Sequence, residues 1–416
     1  MSPPPPDLPV AEARARIGAA IAPLTDTESV VLEAALGRIL ADDLISPIDV
    51  PAHDNSAMDG YALPATGLTG PHRYRVVGKA LAGQPWSGSL AADECIRIMT
   101  GAVMPAACGA VIPQELVQVT GDHIALTVHA GPDHGPAAAP RVGQNVRRRG
   151  EDLQAGKPAL GAGRLLRPAD LGLIASLGIA HLTVRRRPRV AFFSSGSELR
   201  APGAALGPGA IYDSNRASLR GLLTRLGVEL IDLGLVADDP TRLEAVLRAA
   251  ATRADAIVTS GGVSVGEADF TRALLARLGQ VDFWSIAMKP GRPFAFGRIG
   301  GAHLFGLPGN PVAAMVAFCV LVRPALLQLA GSREAELPLL RATCASTIRK
   351  QPGRTEFLRG VLEAGTGGCQ VRVTGAQGSG ILSSVSAANC LIVLPAERSN
   401  VAPGEVVDFW VFDGLM

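Results

Sequence analysis

Lys289 and Arg292 stand on a proline-bracketed loop, Met288-Lys289-Pro290-Gly291-Arg292-Pro293-Phe294. Lysine supplies a point charge and arginine a planar fork of donors, which together suit phosphate or another oxyanion. Taken alone, each is a solvated surface cation. Three glycine-bearing runs accompany them: Ser194-Ser195-Gly196-Ser197-Glu198-Leu199, Thr259-Ser260-Gly261-Gly262-Val263-Ser264-Val265-Gly266-Glu267-Ala268-Asp269 and Gly306-Leu307-Pro308-Gly309-Asn310-Pro311. Small residues uncover backbone N–H groups, and a helix N-terminus behind such a loop adds partial positive charge. Any one of these loops is equally an ordinary tight turn. None matches a Walker A loop or GxGxxG. Asp238, Asp239, Glu267 and Asp269 add carboxylates. Beside a phosphate site these point to Mg2+, whereas singly each reads as a helix N-cap or surface acid.

Two further runs are rich in donors and acceptors. His53-Asp54-Asn55-Ser56-Ala57-Met58-Asp59-Gly60-Tyr61-Ala62 is either an Asx-turn loop or a polar site. Arg147-Arg148-Arg149-Gly150-Glu151-Asp152 is either a local ion-pair network or an anion site with an adjacent metal ligand. His123, His129 and His134 lie near one loop, and their spacing defines no metal site.

The elements that must position these loops follow from periodicity. Helical spacing runs over Ala11 to Ile21 and again over Val30 to Leu40, with Thr25, Asp26 and Thr27 as start signals. Between Pro47 and Asn145 short β-rich pieces at Tyr74, Cys95 and His123 alternate with Gly and Pro, which predicts an antiparallel, loop-rich β unit. A helix is expected over Arg164 to Leu177 and a strand over His181 to Val184. From Arg189 the texture is strand–helix alternation: strands at Val190–Phe193, Glu229–Leu233 and Ala256–Thr259, helices at Asn215–Leu226, Pro240–Ala251 and Phe270–Leu278. That order implies right-handed crossovers and a three-layer α/β domain with a mostly parallel sheet. Its glycine loops fall at strand carboxyl ends, where such sheets bind ligands. Past Leu337, short strands at Phe357–Leu362, Gln370–Thr374 and Cys390–Leu394 suggest a small β-barrel. No fixed-period repeat is present.

Composition bounds the class. With 416 residues and 48% hydrophobic residues, the chain has material for several cores. A net charge of +2 offers no field for a nucleic-acid polymer or an anionic membrane. Met1 to Pro9 carries four consecutive prolines and reads as a disordered leader. The longest apolar run, Val312 to Val322, has 11 residues and ends at Arg323-Pro324, which predicts a buried helix and no membrane span. Six scattered cysteines form no CxxC pair, so a reduced, cytoplasmic protein is expected. Glycine and proline, 48 and 31 residues, outweigh the 4% aromatics, and the question they raise is what the backbone approaches.

The runs Asp54 to Tyr61, Ile98-Met99-Thr100-Gly101-Ala102, Arg147 to Asp152, Ile211-Tyr212-Asp213-Ser214-Asn215, Ser260 to Asp269, Lys289 to Phe294 and Gly306 to Pro311 occur in an order seen in one family. The sequence resembles the MoeA-type molybdopterin molybdenumtransferases, which are related to the E domain of gephyrin. The likeness extends from about Leu8 to the C-terminus. It implies a homodimer of four-domain protomers: a discontinuous dimerisation domain I over 8–46 and 146–186, a β-rich domain II over 47–145, a three-layer α/β domain III over 187–336 that binds nucleotide and molybdopterin, and a C-terminal β-barrel domain IV over 337–416.

The resemblance also implies a chemistry. Molybdate, the co-substrate, enters the dithiolene of adenylylated molybdopterin, AMP leaves, and Mg2+ is required. By motif position, Asp59, Thr100, Asp152, Glu198 and Lys289 carry over as catalytic residues and Asp238 and Asp269 as metal ligands. Ser260, Gly261, Gly262, Arg292, Pro308, Pro311 and Arg148 carry over as substrate-binding residues, with Asp59, Thr100 and Arg148 approaching molybdate from the second protomer. Contacts with the molybdopterin adenylyltransferase and with recipient molybdoenzymes follow from the same likeness. Two positions depart from the family pattern: Ser197 stands where an aspartate is usual, and Ser285 where many relatives carry lysine. With one cation fewer at the second, either phosphate binding is weakened or Arg292 compensates. The competing readings are the adenylyltransferase reaction itself and a non-catalytic scaffold.

Overall fold

The computed structural model describes residues 7–69, 73–127, 139–261, 269–365 and 368–416, without the side chains of 269–272. The proline leader, His129, His134 and Glu267 lie outside these. Two compact units form: one comprises Met1–Asp42, Gly163–Arg167 and His181–Met416, the other Asp43–Ala162 and Pro168–Ala180.

The first unit is built on the expected α/β alternation. In chain order its elements are β1 (Arg189–Ser195), α1 (Ser214–Arg225), β2 (Glu229–Val236), α2 (Pro240–Ala251), β3 (Ala256–Ser260), α3 (Asp269–Leu278), β4 (Gly279–Ser285), β5 (Pro293–Ile299), β6 (Ala302–Leu307) and the long helix α4 (Pro311–Leu329). The sheet order is β2-β1-β3-β6-β5-β4. β2, β1, β3 and β6 are parallel neighbours, and β5 and β4 add an antiparallel edge. Strand residues alternate between two cores: Val190, Phe192 and Val258 pack with α1 and α4, while Ala191, Phe193 and Ile257 pack with α2 and α3. Burial on both faces is why these strands read as unbroken apolar runs.

α4 corrects one expectation. The apolar helix does not end at Arg323-Pro324 but continues to Leu329, through a π-helical stretch at Phe318–Val322. Proline lacks the N–H that an α-turn needs, and the wide turn just before Pro324 accommodates it. Among the described residues α4 is the one helix long and apolar enough to cross a bilayer, and its side chains are mostly buried in the protein core.

A second correction concerns residues 30–40. Thr27–Val31 is a strand followed by a 3-10 turn at Leu32–Ala34, not a helix. Thr27, Val30 and Val31 are β-branched, and the segment pairs antiparallel with His181–Arg185, a partner far along the chain. The helix expected from Arg164 begins only at Pro168, a residue suited to a first helical turn.

Downstream, β7 (Leu340–Cys344), β8 (Thr355–Gly365), β9 (Gly368–Val373), β10 (Cys390–Leu394) and β11 (Val406–Val411) close into a five-stranded barrel. β8 pairs with β9 and β10, β9 with β7, β7 with β11 and β11 with β10. Leu358, Val371, Ile392 and Phe409 fill its interior.

The other unit holds a six-stranded sheet, ordered Cys108–Pro113, Gly60–Pro64, Glu94–Ile98, Arg73–Ala80, His123–Leu126, Val117–Thr120. It is mixed rather than purely antiparallel, because Arg73–Ala80 and Glu94–Ile98 run parallel. None of the six cysteines is disulfide-bonded.

Candidate functional site

A cleft of about 940 Å³ opens at the carboxyl ends of β1, β3 and β6. The loop after β1 contributes Ser195 to Leu199, β3 contributes Ser260 and Gly261, and the loop after β6 contributes Pro308 to Pro311. Lys289, Arg292 and Asp238 line the same space. Of the site residues expected from sequence, the structure therefore brings together Glu198, Asp238, Ser260, Gly261, Lys289, Arg292, Pro308 and Pro311. Gly262 and the side chain of Asp269 lie outside the described residues.

Backbone geometry explains two of the glycines. Gly261 has φ +92°, and a Cβ there would sit 2.2 Å from Ser195 O, so the ends of β1 and β3 meet only because the residue has no side chain. Gly291, with φ +106°, follows the cis Lys289–Pro290 bond. Gly309 differs: a Cβ would meet open space.

Polar contacts lace the loops together. Asp238 accepts from Ser195 Oγ and, at 3.0 Å, from Ser197 N. Asp213 caps α1 through Oδ1, which accepts from Arg216 N at 3.0 Å and Ser194 Oγ at 3.2 Å. Asn215 Nδ2 donates to Ser260 Oγ and to Gly309 O, each at 2.7 Å. Asp213 Oδ2 and Asn215 Oδ1 are buried with no hydrogen-bond partner among the described residues. Both residues line the cleft, and a bound donor or cation would satisfy such acceptors. Asp239, by contrast, is a helix cap: its carboxylate accepts from Arg242 N at the start of α2.

The cations are not free. Lys289 Nζ lies 3.4 Å from both carboxylate oxygens of Glu356, a buried residue on β8. Arg292 is held by Asp7 and Ser285. Arg354, whose charge helps lower the Asp7 pKa, lines the cleft as well.

The barrel supplies the last wall, Gln377 to Ser379. Ser379 O accepts from Val312 N at 3.0 Å and Ser379 Oγ pairs with Asn310 Nδ2 at 3.1 Å, fastening this loop to the start of α4. Behind it Arg359 is fully buried; its Nη2 donates to Gly378 O at 3.0 Å and its Nε to Ser384 Oγ at 2.9 Å. Burial pushes its pKa down to about 10. Sequence reasoning missed Asp213, Asn215, Arg354 and the Gln377–Ser379 loop as individual site residues. The Ile211 to Asn215 run and the glycine-dense Gln377-Gly378-Ser379-Gly380 were the available signals.

Asp59, Thr100, Arg148 and Asp152 belong to the other unit. Asp59 Oδ1 accepts from Thr100 N and Thr100 Oγ1, each at 2.7 Å, and those bonds hold its carboxyl below the usual range. Arg148 Nη1 pairs with Asp54 at 2.7 Å, while Arg149 pairs with Asp49 at 2.6 Å and donates its N–H to Asp54. The Arg147 to Asp152 run thus does contain an ion-pair network. Asp152 is exposed, and its N–H donates to Val50 O.

The donors in the cleft fit a hard divalent cation. Carboxylates of Glu198, Asp213 and Asp238, hydroxyls and an amide oxygen are all oxygen ligands. Among the described residues no group of three or more His, Cys, Asp or Glu converges on one point.

Fold and cleft define an α/β protein with a polar cleft at the carboxyl edge of a parallel sheet, and a β-barrel loop closes one side. Known proteins sharpen this. A model described as MoeA N-terminal region (domain I and II) matches residues 8–178, one described as "Probable molybdopterin binding domain" matches 191–328, and one described as MoeA C-terminal region (domain IV) matches 341–412. The chain is 43% identical to the molybdopterin molybdenumtransferase of Haemophilus influenzae, covering 94% of this chain and 95% of that protein. It is 35% identical to molybdopterin molybdenumtransferase 2 of Mycobacterium tuberculosis, covering 92% and 94%. The crystal structure of the molybdopterin biosynthesis moeA protein of Pyrococcus horikoshii superposes with a TM-score of 0.82 at 30% identity, covering 97% of this chain and 99% of that one. The chain belongs to the MoeA family.

Proposed function

We propose that this protein is a molybdopterin molybdenumtransferase of molybdenum cofactor biosynthesis, inserting molybdate into the dithiolene of adenylylated molybdopterin with release of AMP. The observation that carries the reading is the cleft itself. Three loops suited to oxyanions meet Lys289 and Arg292 there, in a chain 43% identical to a protein of that name. A pterin phosphate, an adenylyl phosphate and molybdate are all oxyanions.

In this reading Lys289 and the Gly261–Gly262 amides hold the phosphates. Ser260, Arg292, Pro308 and Pro311 complete the substrate face, and Glu198 serves as an acid at its rim. Asp238 and Asp269 would hold Mg2+, which when bound makes the anhydride phosphorus more electrophilic and stabilises the leaving AMP. The protein works as a homodimer of four-domain protomers with domain I as the dimer contact. Asp59, Thr100, Arg148 and Asp152 serve the molybdate held by the other protomer. Its partners are the molybdopterin adenylyltransferase that makes the substrate and the molybdoenzymes that take the product. Six uncrosslinked cysteines support a reducing, cytoplasmic setting.

The test is direct. Purified protein is given adenylylated molybdopterin, Mg2+ and molybdate, and AMP release and activation of an apo-molybdoenzyme are followed. Pyrophosphate produced from ATP would instead indicate the adenylyltransferase reaction. No turnover would indicate a scaffold.

A further inference from the structure

Asp7 is stitched to the rim of the cleft. Leu8 bridges Ile286 in parallel: Leu8 N donates to Ser285 O at 2.7 Å, and Ala287 N donates to Leu8 O at 2.8 Å. That register sets the Asp7 carboxylate beside Ser285 and Arg292. Its Oδ1 accepts from Ser285 Oγ at 2.7 Å, from Arg292 Nη2 at 2.9 Å and from Arg292 Nε at 3.2 Å. Arg292 Nε also donates to Ser285 Oγ at 2.8 Å. Partial burial pushes the Asp7 carboxyl upward, but the Ser285 hydroxyl and the Arg292 guanidinium outweigh it, and the group stays ionised.

Arginine recognises phosphoryl groups best through two parallel N–H donors. Here the Nε–Nη2 edge is spent on a carboxylate from the same chain, while Nη1 takes part in none of these bonds. The positive charge of Arg292 is offset locally by Asp7. An incoming anion is left the Nη1–Nη2 edge and meets a neighbouring negative charge, and repulsion from that charge grows with the charge of the ligand.

We propose that Asp7 is a specificity-determining residue of the cleft: by occupying the Nε–Nη2 edge of Arg292 it makes this rim accept phosphoryl ligands of low charge, such as a nucleoside monophosphate, over polyphosphates. The inference rests on the reading of the cleft as a phosphoryl site. It gives that site a means of turning away ATP while admitting an adenylyl group.

Titration calorimetry with AMP and with ATP on the full chain tests it. The wild-type protein binds AMP more tightly than ATP. Asp7→Asn tightens ATP by about tenfold and AMP by about threefold, the change a single removed charge near ligands of about −4 and −2 produces. Ser285→Ala, which keeps the Asp7 charge but loosens its seat, moves the ratio the same way by a smaller factor. Binding of both nucleotides with the wild-type ratio retained in Asp7→Asn overturns the role of Asp7 and leaves the cleft reading standing. If neither nucleotide binds any of these proteins, the cleft reading fails and the role of Asp7 fails with it.

Discussion

Asn215 donates through Nδ2 to Ser260 Oγ at 2.7 Å, tying the first turn of α1 to the carboxyl end of β3. The same nitrogen reaches Gly309 O, so one amide spans two of the three loops that make the cleft. Asn215→Ala removes both bonds and should cost about 1–2 kcal/mol of stability. The larger effect is expected on AMP release, because two loops lose their tie. Asn215→Asp should be worse, since a carboxylate would face the Gly309 carbonyl. Urea unfolding and the AMP-release rate, measured on both variants, check the order.

Gly261 and Gly309 separate glycines the backbone needs from glycines it does not. At Gly261 a methyl would fall 2.2 Å from Ser195 O at φ +92°. Gly261→Ala should destabilise the protein by about 1–3 kcal/mol and abolish AMP release, since the ends of β1 and β3 must part. Gly309→Ala, which adds a methyl in open space, should change stability by less than about 0.5 kcal/mol. Thermal unfolding of the two variants side by side decides the matter.

His303 predicts an acid-side loss of stability. It is 5% exposed on β6, its ring stacks on Phe296, and its Nδ1 has no partner among the described residues. Burial, with Arg298 adding in the same direction, pushes its pKa below 6.5. The unfolded chain therefore takes up a proton that the folded chain refuses, and stability falls as pH drops below about 6.5. His303→Phe should flatten that slope. Denaturant midpoints at about pH 7.5 and about pH 5.5, for wild type and variant, report it; equal slopes would count against it.

Arg359 tests position against stability. It is a fully buried cation with Nη1 unpartnered among the described residues, and it grips Gly378 O and Ser384 Oγ. Arg359→Met removes a charge whose desolvation is not repaid by a carboxylate, so unfolding free energy should change by no more than about 1 kcal/mol. The Gln377–Ser379 wall loses one of its anchors, the bond to Gly378 O, and AMP release should fall by about tenfold, the equivalent of about 1.4 kcal/mol in barrier. A parallel loss of stability and activity would show that Arg359 is only structural.

What could be read from the sequence was what local pattern encodes. β1, β3 and α2 stood out because strands buried on both faces and capped helices sign themselves within a dozen residues. Asp239 as a cap and Gly261 as a tight approach are of the same kind. Residues 27–31 misled because their strand character depends on a partner at 181–185, and a short run of valines and alanines fits either period. The far wall of the cleft was hidden for a similar reason. Gln377 to Ser379 reach α4 through contacts no local pattern records. The pair Asp7 and Arg292 is separated by 285 positions, so the occupation of Arg292, which sequence had offered as a spare cation, was invisible. Chemistry carried by one loop was legible, and chemistry shared between loops was not.

The wide turn at Phe318–Val322 also bears on how the family can vary. A π-turn holds one residue more than the α-turn it replaces. α4 therefore spends 19 residues where an unbroken α-helix would bridge the same span with one fewer. Val312 and Val316 before the turn, and Leu326 and Leu329 after it, still pack into one core. The helix carries a single residue of slack beside the proline that requires it. A relative lacking both could shorten by one position there and keep every buried side chain in phase, whereas a deletion anywhere else in α4 would swing the remainder by about 100°.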